Sequence, residues 1–186
     1  PSKRLLGYHS ANFSHNDLSF IHNDISKLKK LKRLNMRCNG IRGIPATLCD
    51  MTELVHVDFG CNLIGKIPAN IHTLVNLDYL DLEYNNIKAV PESLYKLANL
   101  THLYLNSNNI KILSDKVGNL SKLVVLYMND NRLKNVPLTL NKLSRLQFLQ
   151  ISGNKIQNIC VSGLTQLEFF DVHNNVLMAL PDISPL

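Results

Sequence analysis

Asparagine returns along this chain at a fixed interval. Asn16, Asn39, Asn62, Asn85, Asn108, Asn131 and Asn154 stand 23 residues apart, and Asn175 follows after 21. A period of roughly 20–50 residues marks a repeat architecture, so the 186 residues are not read as one ordinary compact domain. Each asparagine sits in the same apolar frame. In the fourth repeat the frame is Leu77, Leu80, Leu82, Asn85, Ile87 and Val90; in the sixth it is Leu123, Leu126, Met128, Asn131, Leu133 and Val136. The pattern LxxLxLxxNxL occurs eight times, with repeats beginning near residues 8, 31, 54, 77, 100, 123, 146 and 167. The 33 Leu and 23 Asn of the composition follow from it.

The frame has a physical reading. Alternation of period two within LxLxx predicts one short strand per repeat, with every second residue pointing inward. The asparagine marks where the strand bends away; its amide offers two donors and an acceptor to main-chain groups that water does not reach. Pro45, Pro68, Pro91, Pro137 and Pro181 follow the bend, a residue suited to the first turn of a helix. Apolar pairs three apart come next, such as Leu48 with Met51, Leu94 with Leu97 and Val117 with Leu120. One such repeat cannot bury enough surface to offset the entropy of ordering it, so neighbours must stack on both flanks. The expected fold class is α/β: a single solenoid domain over residues 1–186, with a parallel sheet on the concave face and short helices or turns on the convex face.

Departures from the frame are expected to show. Ser114 replaces the proline of repeat five. Repeat seven is two residues short, with Cys160 in the proline position, and predicts a loose turn. Tyr8 and Ala11 make the first repeat the weakest. Leu5 and Leu6 at one end and Pro185 and Leu186 at the other carry no polar or cysteine-rich cap, so the chain reads as a fragment of a longer polypeptide.

Over residues 8–186 the chain resembles leucine-rich-repeat proteins. Its 23-residue unit, with the steps Ile44-Pro45, Ile67-Pro68 and Val90-Pro91, is most similar to the intracellular Ras-group repeats. Those occur in fungal adenylyl cyclases, in Ras-pathway and junctional scaffolds and in certain phosphatases. Gly43 and Gly65 lean toward the plant receptor type. The resemblance implies a right-handed horseshoe that acts as a protein-interaction scaffold, with a small-GTPase or phosphatase complex as partner. A receptor or secreted recognition ectodomain is the rival reading, and a structural spacer the third. No nucleotide-binding loop, nucleophile elbow or paired-cysteine motif is present, so this segment is expected to be no enzyme and to need no cofactor.

Cys38, Cys49, Cys61 and Cys160 lie inside the repeats and not in flanking clusters, which suits a reducing, cytoplasmic compartment. Sequons at Asn12, Asn99 and Asn119 point the other way. The longest apolar run, Leu123 to Met128, is far below the roughly 20 residues that span a bilayer.

Counting within the frame fixes which side chains face a partner. Tyr79, Tyr84, His102, Tyr104, Tyr127 and Phe148 fall on outward positions of the concave strands or their bends. Aromatic residues without a core role are the usual anchors of protein interfaces, whereas simple cross-strand packing is the plainer alternative. Asp58, Asp81, Glu83 and Asp130 are expected to form an acidic rim around them, favouring a partner with basic residues about an apolar centre. Residues 1–49 carry nine Lys or Arg against two Asp, while residues 50–186 carry eleven against twelve acids. Lys29, Lys30, Lys32, Arg33 and Arg37 therefore make a secondary basic patch. Nucleic acid is disfavoured there because stacking aromatics are missing from it. His15, Cys38 and Cys61 share one bend column, but rungs about 5 Å apart put His15 too far from Cys61 to share a metal ion. Cys38 and Cys61, on neighbouring rungs, are candidates for an oxidation-dependent pair.

Overall fold

The computed structural model describes residues 7–181; Leu5, Leu6, Pro185 and Leu186 lie outside the described residues. Eight three-residue strands are stacked in chain order as one parallel sheet. They are β1 (Ser10–Asn12), β2 (Arg33–Asn35), β3 (His56–Asp58), β4 (Tyr79–Asp81), β5 (His102–Tyr104), β6 (Val125–Tyr127), β7 (Phe148–Gln150) and β8 (Phe169–Asp171). The register advances by one whole repeat at each step: Leu80 pairs with Leu103 and Leu103 with Leu126, while the shortened seventh repeat pairs Phe148 with Phe169. The middle residue of each inner strand points into the core, and Leu34, Leu80, Leu103, Leu126 and Leu149 are fully buried. Their two neighbours in the strand point the other way, as a pleat of period two requires.

The convex side is built from single 3-10 turns. They span Asn23–Lys27, Ala46–Asp50, Ile71–Thr73, Leu94–Lys96, Asp115–Asn119 and Leu138–Lys142. At three residues per turn, side chains three apart lie one above the other. That is why pairs such as Leu48 with Met51 and Val117 with Leu120 both reach the core. Pro45 and Pro137 do not enter the first turn, as the sequence had implied; they cap it from outside, extended at φ −66° and −70°. Ser114 fills the same position in repeat five, and its hydroxyl accepts from Lys116 N at 3.3 Å. The shortened repeat seven passes from Cys160 to β8 through turns alone.

The asparagines bridge rungs by binding backbone, not one another. Asn108 Nδ2 donates to Leu105 O and Asn106 O in its own repeat and to Leu82 O in the preceding one, at 2.9–3.1 Å. Its Oδ1 accepts from Ile87 N, also in the preceding repeat, at 2.9 Å. The same linkage recurs at Asn62, Asn85, Asn131 and Asn154, all buried. Only a short amide supplies two donors and an acceptor at that depth; a carboxylate would lack the donors. Asn16, in the first repeat, reaches, among the described residues, Phe13 O and Ser14 O of its own bend.

A second constant of the bend is carried by the backbone. The residue before each asparagine has positive φ: His15, Cys38, Cys61, Tyr84, Ser107, Asp130 and Asn174 lie between 49° and 55°, and Gly153 at 64°. Left-handed backbone costs an L-residue on the order of 1 kcal/mol, and only Gly153 escapes it. The column that His15, Cys38 and Cys61 share is therefore the left-handed position of the turn.

Candidate interaction face

Outward residues of β3 to β6 bring five rings into one ribbon. His56 stacks on Tyr79 with centroids 3.9 Å apart, and Tyr79 meets Tyr104 at 5.2 Å and His102 at 5.8 Å. His102 also lies 6.4 Å from Tyr104, which meets Tyr127 edge-on at 5.2 Å. Offset and edge-to-face contacts at these separations are favourable ring geometries. All five rings are half-buried, each partly covered by its neighbours and open toward the hollow. Burial pushes the Tyr79 hydroxyl pKa up, aided by Asp81, and lowers that of His56, with Arg33 adding to the effect. His56 was not singled out from the sequence, although it precedes Tyr79 by one whole repeat and so had to sit beside it.

Other expected members lie apart. Val125 is buried after His102, and Phe148 pairs in register with Phe169 on β8 as a second apolar step. Tyr84 is exposed on its left-handed bend and makes no ring contact with the ribbon among the described residues.

Three of the four acidic residues expected as an open rim, Asp58, Asp81 and Glu83, are engaged inside the molecule. Asp58 Oδ1 accepts from Gly60 N and Asp81 Oδ1 from Glu83 N, both at 2.9 Å, so these carboxylates close their own bends. Both are buried, at 8% and 5% exposure. Arg37 then crosses two rungs to meet them. Arg37, Gly60 and Glu83 occupy the same position in successive repeats, and Gly60 leaves a gap in the column. Through it the guanidinium places Nη1 3.1 Å from Asp81 Oδ2 and 3.8 Å from Asp58 Oδ1, and Nη2 on Glu83 Oε1. A Cβ added at Gly60 would run into Nη1 and stand 3.1 Å from Cζ. The sequence reading of Arg37 as part of the basic patch, and of Asp58, Asp81 and Glu83 as a free rim, is corrected by this cluster: counting columns shows direction, but not which long side chain spans a gap.

One guanidinium cannot neutralise three carboxylates. Glu83 takes the closest contact and also accepts from Asn106 Nδ2 at 2.8 Å. Asp81, the deepest, is pushed up to about 7 by burial and by the charges of Asp58 and Glu83, against the pull of the Glu83 N–H and Arg37. Arg37, despite the opposing effect of burial, is held more firmly protonated by Glu83 and Asp81.

A family model described as Leucine rich repeat matches residues 52–110. No curated protein matches the sequence. Among solved structures, the LRR protein LIC12759 of Leptospira interrogans superposes with a TM-score of 0.89 at 29% identity, over 92% of this chain and 44% of that one. The PEPR1-AtPEP1 structure gives 0.80 at 31% identity, over 89% and 25%. The plant peptide hormone receptor RGFR1 in complex with RGF2 gives 0.70 at 28% identity, over 89% and 32%.

The chain is a leucine-rich-repeat solenoid. It spans less than half the length of these neighbours. Leucine-rich-repeat folds of this kind generally serve as protein–protein interaction modules. The comparisons carry the repeat family and not the Ras-group subtype expected from the Ile-Pro steps.

Elsewhere on the solenoid, Lys29, Lys30, Lys32 and Arg33 are exposed but do not share a face: Arg33 stands on β2, whereas Lys29 Nζ donates to Asp50 O on the convex side at 3.2 Å. Asp130 is exposed on the sixth bend, against Gly153. The thiols of Cys38 and Cys61 are neighbours across one rung, and burial raises the Cys61 pKa. No helix among the described residues is long and apolar enough to cross a membrane.

Proposed function

We propose that the solenoid recognises a polypeptide on its concave face, with the ribbon His56–Tyr79–His102–Tyr104–Tyr127 as its anchor. The single observation that carries this reading is the ribbon itself: five contiguous rings, outside the core, left open toward the hollow of a rigid parallel sheet. Rigid aromatic side chains supply large contact area at little entropic cost, and they dominate interface energetics. One of the structurally similar proteins is named as a peptide hormone receptor in complex with RGF2, which supports the same use of the face. A small-GTPase or phosphatase complex in the cytoplasm belongs to this proposal as its intracellular form, and the thiols Cys38, Cys49 and Cys61 support that setting.

The test is a selection of random peptides on the immobilised protein, followed by affinity measurement on the double variant Tyr104→Ala/Tyr127→Ala. Selected peptides should bind the variant roughly 10–100-fold more weakly, the loss expected when anchor rings are truncated. Peptides that bind both proteins equally would overturn the proposal.

The likeness to peptide-hormone receptors and the exposed sequon residues Asn99 and Asn119 favour a second reading, a receptor ectodomain. Asn99 already holds Val75 O at 2.8 Å and accepts from Lys122 Nζ at 2.7 Å. Mass spectrometry of the natural protein decides between the settings: a glycan at Asn99 or Asn119 selects the ectodomain, and unmodified asparagines select the cytoplasmic form.

A further inference from the structure

Beyond each asparagine the chain runs down the flank of the solenoid, where a second hydrogen-bonded ladder holds it. Asn109 N donates to Ile87 O, Arg132 N to Ile110 O and Lys155 N to Leu133 O, each at 2.8 Å. The flank is thus tied from rung to rung by backbone hydrogen bonds, as the sheet is. Along it buried and exposed residues alternate, with Ile110, Leu133 and Ile156 inside and Lys111, Arg132, Lys134 and Lys155 outside. These four cations line one groove of about 400 Å³ together with Ile112, which is 75% exposed. Among the described residues no carboxylate forms an ion pair with any of the four.

We propose that this groove docks an acidic polypeptide segment carrying an apolar side chain, independently of the concave ribbon. Charge complementarity identifies the occupant. Four cations without an ion-pair partner among the described residues repel one another until an anion arrives, and the recurrence of Lys111 at Lys134 and of Arg132 at Lys155, one rung on, suits a chain bearing several carboxylates. Ile112 supplies an apolar contact that carboxylates alone would leave unused. The groove has no aromatic residue on which a base could stack, and this sets the polypeptide ahead of single-stranded nucleic acid.

The experiment uses the whole chain and a fluorescent synthetic peptide of Asp and Glu residues flanking a central Leu, followed by anisotropy. The wild-type protein should bind it, more weakly as salt is raised. The triple variant Lys111→Glu/Lys134→Glu/Lys155→Glu should lose affinity by roughly tenfold or more, since like charges would then face the peptide. Ile112→Ser should weaken binding to the Leu peptide and leave unchanged the binding of a peptide with Ser in its place. Lys29→Glu/Lys30→Glu and Tyr104→Ala/Tyr127→Ala should leave affinity unchanged, and the latter separates this groove from the concave site. An undiminished affinity in the triple variant, an equal loss in the Lys29/Lys30 variant, or no binding by the wild type overturns the proposal. Tighter binding of oligo-uridine or of phosphatidylserine vesicles than of the peptide, abolished in the triple variant, would keep the groove but overturn its polypeptide occupant.

Discussion

The concave sheet and the descending flank are built from the same repeat, one rung per 23 residues, yet they treat charge in opposite ways. On the sheet, Arg37 spans an empty position to reach Asp58, Asp81 and Glu83, and the charges hold the bends in place. On the flank, Lys111, Arg132, Lys134 and Lys155 stand in a groove without a carboxylate partner among the described residues. Depth accounts for the difference. A carboxylate buried as deeply as Asp81 must find donors or give up its charge, whereas an exposed lysine is solvated whether or not it is paired. The sheet's charges therefore belong to folding, and the flank's remain available to a partner.

Removing Arg37 should produce the largest effect. Arg37→Ala leaves three clustered carboxylates without a cation, and urea unfolding at neutral pH should report a loss of about 2–3 kcal/mol, below the full cost of breaking a buried pair because Arg37 keeps partial solvent contact. A loss under about 0.5 kcal/mol, the scale of an ordinary surface change, would erase the contrast between the two faces.

Asp81 sharpens the contrast through pH. Its pKa is about 7 in the folded protein, above the ordinary carboxylate value of 3.8, so the folded state holds the proton more tightly. The stabilisation this gives is complete below about pH 4 and is lost as pH rises toward 7. Asp81→Asn keeps an Oδ1 acceptor for Glu83 N and removes the titration. Between pH 4 and 7 the wild type should lose up to about 3 kcal/mol relative to this variant. Thermal unfolding at several pH values checks it, and parallel curves for the two proteins would contradict it.

The ribbon should come next. Tyr79→Ala removes ring contacts to His56, His102 and Tyr104, and a destabilisation of about 1 kcal/mol is expected by denaturant titration. A much larger loss would mean that the ring belongs to the core. Smallest of all should be Lys134→Gln on the flank. Its melting temperature should match or slightly exceed that of the wild type, with the free-energy change inside about 0.5 kcal/mol. A clear destabilisation there would show that the flank's charges also serve the fold.

Much of this was legible in the sequence. The asparagine column and the direction of each strand residue follow from counting, because one side-chain chemistry meets the demand at every rung. The left-handed residue beside each asparagine did not stand out. His15, Cys38, Tyr84, Asp130 and Gly153 share a backbone angle and no chemistry, so the constraint left no mark on residue type. The Arg37–Glu83 pair joins residues 46 positions apart and depends on the missing side chain at Gly60, although the column Arg37, Gly60, Glu83 contains it for a reader who counts two repeats ahead. The flank cations were hidden by arithmetic, since acids elsewhere in residues 50–186 bring that stretch close to neutrality.

By itself the sequence determined the repeat, the stacking of its rungs and the side of the sheet on which each residue stands. All three follow from local periodicity and from the donor and acceptor count of one amide. Only the tertiary structure decided which charges are matched and which rings touch. Those depend on the reach of long side chains across neighbouring rungs and on how deeply each group is shielded from water, quantities that exist only once the rungs are stacked.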